Sequence, residues 1–280
     1  MIAEAGPSPD SISKITAGAW FDPARGQQRD DAIAVLAAHR VVLLGETHSD
    51  AEHHRWQLRT IEQLFDIRPD IALGFEMFPR HVQPVLERWR NDDISETAFL
   101  AEVDWPRIWG FDADLYWPLF RFARRHRLPM LALNVDRETT RRIAREGIAN
   151  TSPEQREHVA APAPVSERYR ERLLGWFSHH PAGGAPATAD PSRFDRFVEA
   201  QSFWDRAMAE AIAAACRARA DALVIGLMGS GHIEYGDGVP HQLAALGISD
   251  VSTAVPWPAA TAYPQATPPI ADWLYGMAGS

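Results

Sequence analysis

Four short apolar runs, each leading to a polar residue, constrain this chain more than any other feature. Val41-Val42-Leu43-Leu44 runs into Gly45-Glu46-Thr47-His48, and Ala222-Leu223-Val224-Ile225-Gly226-Leu227 is followed by Gly229-Ser230-Gly231-His232. Ile71-Ala72-Leu73-Gly74-Phe75 leads into Glu76, and Pro129-Met130-Leu131-Ala132-Leu133 into Asn134. None alternates apolar with polar residues, which is the habit of strands buried on both faces of a parallel sheet. Segments of helical period separate them, so the expected fold is α/β, a mainly parallel sheet flanked by helices with right-handed crossovers. In open sheets of this kind ligands gather outside the carboxyl ends of the strands. Glu46, His48, Glu76, Asn134 and His232 are therefore expected to converge on one site.

A chain of 280 residues with 46% hydrophobic side chains can bury a sizeable core. Residues 1–280 are read as a single domain, with 150–192 as a helical insertion or lid. There, Pro153, Pro162, Pro164, Pro181, Pro186 and Pro191 punctuate two helical pieces and Gly183-Gly184 adds a flexible turn. The formal charge of −9, from 28 basic and 37 acidic residues, argues against nucleic acid as a partner and against anionic membrane. No apolar stretch approaches transmembrane length, and Met1 to Gln28 lacks the pattern of a secretory leader. The chain as given is expected to be cytoplasmic, or periplasmic or membrane-anchored if a targeting segment has been trimmed. The lone Cys216 has no disulfide partner within the chain and reads as core filler.

The first forty residues are read as an arm followed by a helix over 31–39, and further helices are expected over 50–65 with Asp50 as cap, along Val82, Val85, Leu86 and Trp89, from Ser95, over 114–127, from Asp136 to Gly147, and over 192–220. Residues 104–111 are too aromatic and interrupted for a regular element. Pro240 is expected to open a final helix at its first position. The proline-rich tail after Val255 is expected to wrap over the surface.

Glu46 and His48, two apart on extended backbone, face the same side. Such a pair suits a divalent metal or a histidine base oriented by a carboxylate, and Glu76 and His232 join it by the same strand-end logic. Glu46, His48, Glu76 and His232 are thus candidates both for metal ligation and for catalysis. His53 and His54 fit no zinc spacing and are read as helix-surface residues; His179, His180 and His241 are read as solvated. The glycines at 229, 231, 236 and 238 match neither the dinucleotide fingerprint nor the P-loop, and no G-x-S-x-G elbow is present.

Several segments together resemble the ChaN family of haem-binding uptake proteins, within the Tiki/TraB and erythromycin-esterase superfamily. They are the Gly45-Glu46-Thr47-His48 tetrad, Gly74-Phe75-Glu76-Met77-Phe78, Trp105-Pro106-Arg107-Ile108-Trp109-Gly110, Leu133-Asn134-Val135, the stretch from Gln201 to Ala209, and Gly229-Ser230-Gly231-His232 through Gly238-Val239-Pro240. The resemblance spans about residues 17–255. It implies an α/β fold with a helical subdomain and a homodimer holding haem between its subunits. One subunit's tyrosine would ligate the iron, while a histidine and a lysine of the other hold the propionates. Tyr116, Tyr169 and Tyr235 lie in the matching region, with Tyr116 and Tyr235 as the candidate ligands. The only lysine, Lys14, falls outside it, so Arg107 or Arg137 would replace the propionate lysine, beside His232. No cysteine near the start matches the lipid attachment of some relatives. The wider superfamily implies the alternative, a hydrolase using Glu46, His48, Glu76 and His232, with or without a divalent metal. A third reading is an inert interaction protein on the same fold.

Overall fold

Each apolar run becomes a strand in the computed structural model, which describes residues 14–179, 191–264 and 268–279. β1 (Trp20–Asp22), β2 (Gln27–Gln28) and α1 (Ala32–Ala38) precede β3 (Val41–Glu46), α2 (Ala51–Ile67) and β4 (Ile71–Pro79). Then come α3 (Gln83–Arg90), α4 (Glu96–Val103), α5 (Trp105–Ile108), α6 (Trp117–Arg125), β5 (Met130–Asn134) and α7 (Arg137–Glu146). The chain continues through α8 (Glu167–His179), α9 (Pro191–Ala218), β6 (Leu223–Gly229), α10 (Gly238–Ala245), β7 (Val251–Pro258) and β8 (Trp273–Met277).

The strands form one eight-stranded sheet in the order β2-β1-β8-β7-β3-β6-β4-β5. All pairs from β8 to β5 are parallel; only β1 with β2 and β1 with β8 are antiparallel. β3, β4 and β6 are buried along their whole length, which accounts for their unalternated sequences. One face packs an aromatic core that includes Trp56, Phe75, Phe78, Trp89 and Phe120. The other packs the aliphatic faces of α9 and α10 through Met208, Ile212, Val239 and Leu243. Local signals set the ends: Asp50 accepts from the N–H groups of Glu52 and His53, and Asp136 from that of Glu138. Among the described residues no helix is long and apolar enough to cross a membrane.

Four local expectations are corrected. The tail after Val255 does not wrap the surface; β7 continues to Pro258 and β8 inserts between β7 and β1. Pro256 and Pro258 are tolerated because β7 pairs with β3 only as far as Ala254, beyond which β8 is its single neighbour. The first forty residues, read as an arm and a helix, also supply β1 and β2 to the sheet. Residues 105–108 do make one helical turn, entered through Asp104 in the left-handed region. Pro240 is the third residue of α10, still within the first turn, where its missing N–H costs no intrahelical bond.

Between α7 and α9 the described chain makes short 3-10 turns at Ile148–Asn150 and Glu154–Arg156 and then α8. Tyr169 and Leu173 of α8 pack on Phe194 and Val198 of α9. The Gly183-Gly184 turn lies outside the described residues.

Candidate active site at the carboxyl edge of the sheet

β3 and β6 run side by side with Glu46 opposite Gly229, so the two glycine-histidine tetrads emerge next to each other. β4 flanks β6 on its other side and delivers Glu76. Glu46, His48, Glu76 and His232 are thereby brought together as two carboxylate–imidazole pairs.

In the first pair, His48 Nδ1 is hydrogen-bonded to Glu46 Oε1. The His48 carbonyl accepts from His54 Nε2 at 3.2 Å and from the Tyr116 hydroxyl at 3.2 Å, and that hydroxyl accepts from Trp109 Nε1 at 2.8 Å. The edge of the His48 ring meets Trp109, with centroids 4.5 Å apart, and Phe111 lies 5.3 Å away. In the second pair, Glu76 Oε2 accepts the Gly229 N–H at 2.7 Å, while Oε1 lies 3.4 Å from His232 Nε2. His232 Nδ1 donates to Asp205 Oδ1 at 2.6 Å, and the Tyr169 hydroxyl donates to Asp205 Oδ2 at 2.7 Å. Trp204 packs edge-on against the His232 ring at 5.0 Å.

The pairs meet over Gly229. A Cβ there would stand 3.0 Å from His48 Cε1 and 3.7 Å from Glu76 Oε2, so the glycine keeps the place that the His48 ring occupies. Gly238, at φ +57°, is needed too, since a Cβ would come 2.4 Å from the His232 carbonyl.

Burial works against charge on both histidines, and the acids outweigh it. The hydrogen bond to Glu46 and the charges of Glu76 and Glu46 raise His48 above its ordinary value. Glu76 and Asp205 push His232 up to about 10. Burial likewise opposes ionisation of Glu76, yet the nearby His232 and His48 charges and the Gly229 N–H hold it below the usual carboxylate range. The second pair is thus an internal ion pair near neutrality. Glu46 Oε2 and Glu76 Oε1 are both buried and accept no hydrogen bond from the described residues.

The remaining expectations divide. Asn134 clamps backbone: its Nδ2 donates to the Glu76 carbonyl at 3.0 Å and its Oδ1 accepts its neighbour's N–H. Among the described residues no group of three or more His, Cys, Asp or Glu is placed to hold a metal ion. Glu46, His48, Glu76 and His232 stand as two carboxylate–imidazole pairs and not as one such group. Tyr116, expected as an iron ligand, is 1% exposed and bonded to His48 and Trp109, and burial pushes its phenol well above the ordinary value. Its oxygen is a structural hydrogen-bonding group in this structure. His232, expected beside a propionate, is 7% exposed and already paired with Asp205.

His54, read as a surface residue, is buried against Tyr116 with ring centroids 4.3 Å apart, while His53 accepts the Thr47 N–H. His241 is bonded to the Pro164 carbonyl; the His179 side chain and His180 lie outside the described residues. Asp205 went unnoticed in the sequence. Its signal was there: Val198, Ser202, Asp205, Ala209, Ile212 and Cys216 form one buried stripe of α9, and a carboxylate on such a stripe needs a partner.

Arg107, Trp109, Asn134, Arg137 and Trp204 line a cleft beside the pairs, with a cavity volume of about 40 Å³. Small-molecule sites enclose roughly 300–1,000 Å³, so this cleft alone does not engulf a macrocycle. Arg107 is paired with Asp104 at 2.6 Å and lies 3.6 Å from Asp136; Arg137 donates to the Arg107 carbonyl at 3.3 Å. Tyr235 lines a separate depression with Pro240, Thr253 and Asp272 that shares no residue with the cleft. Its ring lies beneath the Arg172 guanidinium, 4.7 Å from the centroid, on backbone at φ 60°.

Residues 32–243 match the family described as haem-binding uptake, Tiki superfamily, ChaN. Among solved structures the chain is similar to one of cofacial haem binding to ChaN of Campylobacter jejuni, with 18% identity and a TM-score of 0.67 over 91% of this chain and 95% of that one. It is also similar to an erythromycin esterase, an EreC variant in its open conformation, with 13% identity and a TM-score of 0.50 over 85% of this chain and 76% of that one. Both likenesses establish the fold. No curated protein matches the chain.

Proposed function

The chain belongs to the ChaN family of haem-binding uptake proteins in the Tiki superfamily, and from that premise we propose that it binds haem between two copies of itself, in haem or iron uptake or handling. The observation that carries this reading is the separation of the needed groups within one chain. Arg107 and Arg137 rim a cleft walled by Trp109 and Trp204, while Tyr235, the more accessible of the two candidate tyrosines, lines another depression. A shared site reunites them: one copy offers the phenol to the iron, and the other offers guanidinium groups to the carboxylates and indole to the macrocycle. The small cleft volume fits the same reading, because a macrocycle lying across its mouth needs a second wall. Haem, when bound, supplies the iron and its visible absorption.

Titration of the full chain with haem, followed by absorbance and by gel filtration, tests it. Saturable binding with a shift to dimer is expected; Tyr235→Phe should remove the phenolate spectrum, and Arg107→Ala with Arg137→Ala should weaken binding about tenfold or more, the loss of one to two charge-assisted bonds. Absence of saturable binding in the wild type overturns the proposal.

Glu46 Oε2 and Glu76 Oε1, buried and without a hydrogen bond from the described residues, favour a second reading. Carboxylate oxygens with open acceptor capacity beside two imidazoles suit a site that activates water, with His48 as base oriented by Glu46 and His232 as acid. Turnover of an ester panel that His48→Ala abolishes, by a protein that does not bind haem, would put the hydrolase in its place.

A further inference from the structure

We propose that Asp205 and Tyr169 are the positioning residues of His232, and that through them the docking of α8 fixes the orientation of the imidazole in the candidate site. The proposal deepens the reading of that site and rests on haem binding for one of its measurements only.

Three elements meet at Asp205. The residue is fully buried on α9, and its two carboxylate oxygens are divided: Oδ2 takes the Tyr169 hydroxyl of α8 at 2.7 Å, and Oδ1 takes His232 Nδ1 at 2.6 Å. A carboxylate held at one oxygen only can swing about its side-chain torsions. Tyr169 holds the second oxygen, which fixes the carboxylate plane, keeps an acceptor in front of Nδ1 and leaves Nε2 aimed at Glu76 and the meeting point of the two pairs. Charge-assisted bonds of this length between buried groups are directional and strong.

The same face of α8 grips the loop that carries His232. Arg168 and Arg172 donate to Asp237, which also accepts from Ser166 at 3.0 Å. Arg168 further donates to the Tyr235 carbonyl at 2.8 Å and Arg172 to the Glu234 carbonyl at 3.0 Å. Helix α8 therefore holds both the histidine's loop and the carboxylate that orients its ring. If α8 lifts away, the loop and the aim of Nε2 are released together. Packing alone does not require this, since Phe194 and Val198 already provide α8 with an apolar seat.

The test uses the full chain with Tyr169→Phe and Asp205→Asn, read by proton NMR, by hydrogen exchange of α8 and by haem titration. The wild type should show a downfield His232 Nδ1–H resonance, assigned by its disappearance in His232→Gln. Tyr169→Phe removes a single hydroxyl and should shift that resonance, speed its exchange with water about tenfold and weaken haem binding about tenfold. Asp205→Asn should abolish the resonance and speed exchange along α8; if this variant does not fold, Tyr169→Phe decides. A wild type without the resonance overturns the proposal. So does a Tyr169→Phe protein that loses stability while resonance and haem affinity stay unchanged, because Tyr169 is then structural only. Should the wild type bind no haem, the family-based reading fails while the NMR and exchange measurements still decide this one.

Discussion

His232 shows how far one residue can be moved by its neighbours. Its imidazole, ordinarily titrating near 6.5, is buried between Glu76 and Asp205 and pushed up to about 10. The folded state therefore holds a proton that the unfolded chain gives up above pH 6.5. Its contribution to stability is complete below that pH and is lost as pH rises through 10. His232→Gln leaves two buried carboxylates without their cation and should cost about 3–5 kcal/mol near pH 6, shrinking steadily toward pH 10. Urea unfolding of the two proteins at pH 6, 8 and 10 measures the difference; a gap that is constant with pH would refute it. Of the residues read from sequence, Glu46, His48, Glu76 and His232 were legible because each sits at or just beyond a strand end, where topology alone fixes its place. Asp205 was legible only as a carboxylate on a buried stripe, and its meeting with Tyr169 and His232 was not, because it depends on helix–helix packing, which a linear pattern does not encode.

Among the elements, the β3–α2 turn is supported from above by α5 and the start of α6. Trp109, Tyr116 and His54 form a hydrogen-bonded set that ends on the His48 carbonyl. Tyr116→Phe leaves the Trp109 N–H without its acceptor and should destabilise the fold by about 1–3 kcal/mol. The haem spectrum should be unaltered, as absorbance titration will show; loss of a phenolate band would restore Tyr116 as the ligand. The helices of the flanking layers were readable from period and caps, Asp50 and Asp136 above all. β8 was hidden by the prolines around it, which speak for an irregular tail until the partner that relieves them is known.

For the molecule as a whole, α8 is tied to α9 and to the loop after His232 by side chains: Tyr169 with Asp205, Arg170 with Asp195, and Arg168 and Arg172 with Asp237. If residues 150–192 cover the site as part of one domain, clipping the chain between α8 and α9 should leave the two fragments associated on gel filtration. Fragments that separate and fold alone would refute the single-domain proposal. The sheet has a further consequence for how the protein is made. Trp20 and Phe21 of the first strand pair with Tyr275 and Leu274 of the last, and β8 fills the gap between β1 and β7. On the ribosome β1 waits for a neighbour that is made after every other strand of the sheet. Until it emerges, the nascent chain exposes an open apolar edge, and that interval is when a chaperone can still engage it.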